Sequence, residues 1–117
     1  MATTRSRRRW AVRLSITRRE GWYAWGPISG DFERSLAAQA GGSVMEPRVD
    51  SETRRGRDHV RVTMDMTIAS ADVAGALAEA WQAFRDAARG DPRGWDLASA
   101  AAEVRPDGLI FPIIGIQ

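Results

Sequence analysis

From Trp10 onward the large apolar residues fall on every second position: Trp10, Val12, Leu14 and Ile16 alternate with Ala11, Arg13, Ser15 and Thr17. A period of two marks a strand with one buried face. Arg18-Arg19-Glu20-Gly21 closes this strand. The same rhythm returns over residues 59–68, where Val60, Val62, Met64, Met66 and Ile68 face one way and His59, Arg61, Thr63, Asp65 and Thr67 the other. Between the two lies Asp31, placed to cap a short helix over residues 31–40 with Phe32, Leu36 and Ala40 on one face; Gly41-Gly42 stops it. The aromatic stretch Trp22-Tyr23-Ala24-Trp25, bounded by Gly21 and Gly26-Pro27, reads either as a short ribbon or as a loop folded over the core.

Residues 43–49 form a weaker strand candidate. Pro47 within it points to a sheet edge, since proline cannot donate to a ladder. Residues 50–58 read as a polar connection. After the second clear strand, Ser70 is placed to cap the best helix in the chain, with Asp72 in its first turn and Gly90 at its stop. Its apolar stripe is Val73, Leu77, Ala80, Trp81, Phe84 and Ala88. Residues 95–104 are ambiguous: the alanine run favours helix by propensity, yet a strand there completes a four-stranded sheet, and strand is preferred. Pro106 with Asp107-Gly108 ends the element in either case.

The order strand, helix, strand, strand, helix, strand predicts an α+β, ferredoxin-like βαββαβ fold: a four-stranded antiparallel sheet with two helices on one face. Arg13, Ser15, Thr17, Arg61, Thr63 and Asp65 fall on the other face. The chain of 117 residues is long enough for one core and too short for two. Residues 1–9 read as a flexible arginine-rich arm, 10–107 as the domain, and 108–117 as an apolar C-terminal tail. This superfold hosts enzymes, carriers and binding modules alike, so function must come from the residues.

Composition removes several chemistries. There is no cysteine, hence no disulfide and no thiolate nucleophile or ligand. No run approaches the roughly 18–20 apolar residues of a membrane span, and the default expectation is a cytoplasmic protein without membrane contact. His59 is the one histidine, set beside Asp58 and Arg61 at a strand start, and reads as solvent-facing. No catalytic, metal-binding or cofactor-binding residues are expected, and no cofactor. Every one of the 17 basic residues is arginine, and they are unevenly spread. Residues 1–61 hold 13 arginines against 7 acids, residues 62–117 only 4 against 8. Such a dipolar chain can meet an anionic partner or a copy of itself.

Three sets of residues are candidates for contact. Arg5, Arg7, Arg8 and Arg9, with Arg54, Arg55 and Arg57, could attract nucleic-acid phosphates, although the open sheet face lacks the aromatic platform of RNA-recognition domains. Trp10 and Trp81 read as core. Trp22, Tyr23 and Trp25 could wall a ligand or protein contact. The tail residues Leu109, Ile110, Phe111, Ile113, Ile114 and Ile116 remain unassigned after a complete domain, and an apolar set of that size marks an interface. The leading expectation is a non-enzymatic, self-associating module, a dimer formed through the sheet and the tail. The alternative is a nucleic-acid-associated accessory protein; the weaker one is a small ligand-binding domain or enzyme with a tryptophan-lined pocket.

Overall fold

In the computed structural model, which describes residues 8–38, 44–53, 59–90 and 92–107, the strands are β1 (Arg8–Arg18), β2 (Val44–Thr53), β3 (Val60–Ser70) and β4 (Trp95–Pro106). The helices are α1 (Trp22–Ala38) and α2 (Val73–Ala87), and two short 3-10 turns, Ala88–Gly90 and Pro92–Gly94, lead into β4. The sheet order is β2-β3-β1-β4, every pair antiparallel, with both helices on one face. This is the ferredoxin-like arrangement the patterning predicts, and the ambiguous alanine-rich segment is its fourth strand.

The two alternating stretches pair directly: Trp10 opposes Ile68, Val12 opposes Met66, Leu14 opposes Met64 and Ile16 opposes Val62. All eight are buried under the helices, so the period of two translates into one continuous apolar floor. Arg8 and Arg9, read as part of the arm, are the first residues of β1, paired with Ser70 and Ala69. β2 runs on to Thr53, and its register against β3 shifts between Met45 and Arg48, the interval that holds Pro47. Proline at a bulge on an edge strand removes no ladder bond the sheet needs.

Helix α1 departs from the expected 31–40 span. It begins at Trp22 and continues through Pro27. Gly21 supplies the first acceptor, its carbonyl taking the amides of Ala24 and Trp25 at 3.1 and 3.2 Å. Pro27 deprives only the Tyr23 carbonyl of its helical partner, and Tyr23 is exposed to water. The reward is Trp25. Its ring is fully buried against Phe32 and Trp95, and its Nε1 donates to Ser51 Oγ on β2 at 2.7 Å. Helix α2 is capped by Asp72, whose carboxylate accepts from the Gly75 amide at 2.8 Å, while Ser70, the expected cap, closes β3. No helix among the described residues is long and apolar enough to cross a membrane.

Candidate interface along the second helix and the fourth strand

The face α2 turns to the sheet is made of Ala76, Ala80, Ala83 and Phe84. Three small residues let the helix settle close on the methionines and branched residues of β3 and β1. Val73, Leu77 and Trp81 recur at spacings of four and lie roughly 75° around the axis from that face, at 3.6 residues per turn. Val73 is 47% exposed and Leu77 36% exposed, whereas Trp81 is half-buried and packs at 5.1 Å from the Phe84 ring centroid. The apolar stripe expected from the sequence is therefore split: Ala80, Phe84 and Ala88 are buried, and Val73 and Leu77 are not.

What this flank faces is β4. Helix α1 packs on β2 and on α2, and α2 lies over β3 and β1 and also touches β4. The inner face of β4 is covered at Trp95, which rings of both helices bury, but among the described residues it is open farther along the strand. Val104, opposite Val12, is half-buried, but Ala102, opposite Leu14, is exposed. Between helix and strand runs an apolar groove of about 430 Å³. Leu14 forms its floor, Leu77 and Trp81 with Ala74 and Ala78 one wall, and residues 100–102, all alanine, the other.

A bulge in β4 adjoins the groove at Ala100. Ser15 pairs with Ala101 and Thr17 with Asp96, so two steps on β1 span five on β4. Ser99 holds the bulge closed: its hydroxyl accepts from the Thr17 amide at 2.8 Å and donates to the Asp96 carbonyl at 2.7 Å. Arg61 braces the same turn through Thr17 Oγ1 and the Ser99 carbonyl, both at 2.9 Å. The extra residues push Leu97 outward, where it is 52% exposed. Val73, Leu77 and Leu97 are three of the five large apolar residues left exposed among those described.

The open face of the sheet is of another kind. One row across all four strands reads Arg48, Asp65, Arg13, Glu103, alternating in sign. Arg13 Nε meets Asp65 Oδ1 at 2.7 Å, and this hydrogen bond with the carboxylate charge raises the Arg13 pKa above its ordinary value. Ser15 and Thr63 share a hydroxyl bond beside it. The face answers its own charges and carries no aromatic side chain among the described residues.

The other sequence candidates fall as follows. Leu109 to Ile116 lie outside the described residues, as do Arg5, Arg7, Arg54, Arg55 and Arg57. Arg8 and Arg9 are exposed on β1. Trp22 and Tyr23 are exposed at the start of α1, Trp22 lying across Gly26, where a Cβ would meet its ring at 3.0 Å. Trp25 does not join them in a surface pocket: the helical turn carries it inward to the core. Trp10 is core, its Nε1 donating to the Ser70 carbonyl, and His59 is exposed just before β3.

No family model matches the chain, and no curated protein sequence matches it. Solved structures do. SnoaB, a cofactor-independent oxygenase from Streptomyces nogalater, is 12% identical with a TM-score of 0.51, covering 90% of this chain and 98% of that one. PA3566 from Pseudomonas aeruginosa is 15% identical with a TM-score of 0.44, covering 89% and 97%. The designed protein Ferredog-Diesel is 17% identical with a TM-score of 0.46, covering 88% and 89%. At these identities the likeness concerns the fold alone.

Sequence reasoning missed two residues, Arg18 and Trp95. Arg18 stands in the polar run that closes β1, yet its side chain is 1% exposed. Its guanidinium lies between two indoles, 5.1 Å from the Trp25 ring centroid and 4.8 Å from that of Trp95, with Glu20 at 3.7 Å. The signal was present as parity, because Arg18 continues the inward series 10, 12, 14, 16. A cavity of about 330 Å³ opens beside it, between Phe32 on α1 and Ala88 after α2.

Proposed function

We propose that the chain is a self-associating interaction module that pairs with a second copy through the α2–β4 groove and the free edge of β4. The observation that carries this reading is the placement of residues on α2: alanines face the core, Leu77 and Trp81 line the groove against Ala100 to Ala102 of β4, and Val73 is exposed one turn before them. A helix that buries its small residues and leaves large ones beside a groove is suited to being covered, because each aliphatic side chain withdrawn from water contributes on the order of 1.5–3 kcal/mol. β4 adds a second attraction. As an edge strand it offers backbone donors and acceptors that another strand can satisfy.

The test is oligomeric state against concentration, by sedimentation or light scattering, for the wild type and Leu77→Glu. The wild type is expected to dimerise. The variant should be monomeric with an unchanged helix and strand signal, since position 77 already lies at the surface. A wild type that stays monomeric at hundreds of micromolar would overturn the reading.

A second reading, binding of a polyanion such as nucleic acid, is favoured by a concavity of about 590 Å³ on the open sheet face, lined by Arg13, Arg48 and Arg105 together with Asp65 and Glu103. Arg9 stands on the same face, at the end of β1 where residues 1–7 begin. Because Arg8 and Arg9 belong to the ladder, the informative deletion is 1–7 rather than 1–9. Weaker retention of nucleic acid and a shallower salt dependence are expected from it. Full-length protein that retains none at low salt would dismiss this reading.

A further inference from the structure

We infer that the occupant of the α2–β4 groove is the C-terminal segment, residues 109–117, of a second copy, exchanged reciprocally so that each tail lies along the other subunit's β4. The inference rests on the self-association reading and supplies its contact. Chemistry and reach both point to this segment. The groove is lined by aliphatic and alanine side chains with Trp81 and presents almost no polar surface; six of the nine tail residues are large and apolar, and none is charged. Nine extended residues span roughly 30 Å at about 3.3 Å each. The groove wall from Ala74 to Trp81 is only about 10 Å long at 1.5 Å per residue. Length is left over for the crossing between subunits.

The geometry at the end of β4 favours the neighbour over the chain's own groove. The Asp107 amide donates to the Arg9 carbonyl at 2.9 Å, so the β1–β4 ladder still holds at Asp107. Ladder bonds alternate along an antiparallel strand, which turns the backbone groups of Pro106 to the free edge. A two-residue reversal at Asp107-Gly108, which would lay the tail back along the free edge of its own β4, would need Pro106 to donate one of the two closing bonds, and proline has no N–H. The strand direction at Asp107 leads away from Ala102 and the groove wall. A tail that continues outward meets a second copy, and the free edge of that copy's β4 accepts it as an added strand.

The chain has no cysteine, so engineered ones report contacts without background. Leu77→Cys and Ile113→Cys are made in separate chains, mixed at dimer-forming concentration and oxidised. A covalent heterodimer is expected from the mixture. A chain carrying both substitutions that instead closes within itself, with no product from the mixture, overturns exchange in favour of packing at home. The chain truncated to residues 1–108 is measured alongside by light scattering, with its dimer expected to weaken roughly a hundred-fold or more. If the truncated chain dimerises as tightly as the full one, the tail is not the occupant, yet self-association through the groove survives. If both are monomeric, both readings fall. If truncation abolishes the folded circular-dichroism signal, the tail belongs to its own core and the exchange is refuted.

Discussion

At the scale of single residues, the most informative side chain is Arg18. Desolvating a guanidinium costs several kcal/mol, and attraction to the faces of two indoles offsets part of that cost, about 2 kcal/mol for a desolvated pair. Its stem also fills space among Trp25, Trp95 and the cavity wall. Two substitutions separate charge from volume. Arg18→Met keeps the volume and removes the charge, and its unfolding free energy should lie within about 1 kcal/mol of wild type or above it. Arg18→Ala loses packing as well and should cost about 2–4 kcal/mol, both read from urea denaturation. The tryptophans divide in the same way. Trp25→Ala should cost about 3–5 kcal/mol, whereas Trp81→Ala, at the groove wall, should cost about 1–2 kcal/mol in a monomeric background. Equal losses would mean that Trp81 is as buried as Trp25.

At the scale of elements, the sequence was legible wherever one physical signal dominated. The strict alternation of β1 and β3 specified two strands and their common face. The strand in residues 95–104 was legible only through the fold, because its alanines prefer helix and four strands are needed to close the sheet. Reasoning from local punctuation failed twice. Gly26-Pro27 reads as a break, but a proline in the second helical turn costs one bond whose carbonyl is solvated, and burial of Trp25 outweighs it. Ser70 and Asp72 compete as caps. Asp72 wins because Ser70 remains in the ladder with Arg8. Asp72→Ala should therefore lower stability by about 1 kcal/mol, while Asp72→Ser should recover most of it. A null effect of Asp72→Ala in thermal denaturation would show that α2 is held by packing alone.

At the scale of the whole molecule, the candidate site was half legible. The apolar tail was visible in the sequence; the groove that would receive it was not, because periodicity places Val73, Leu77 and Trp81 on one broad stripe with Ala80 and Phe84. Only the packing of α2 on the sheet reveals which half of that stripe is covered. The two functional readings then part company on thermodynamic grounds. An apolar contact strengthens with sulfate and changes little with sodium chloride, whereas arginine–phosphate attraction collapses as salt rises. Dimerisation also couples to stability by mass action, because only the folded state pairs. For a dimer that unfolds to separate chains, each tenfold rise in protein concentration adds about 1.4 kcal/mol per dimer, which should lift the melting temperature by a few degrees. Leu77→Glu should melt at one temperature regardless of concentration, because its unfolding is unimolecular. Scanning calorimetry over two decades of concentration, in chloride and in sulfate, reads both effects at once. A wild-type melting temperature independent of concentration would leave the exposed leucines of α2 and β4 without a partner of their own kind.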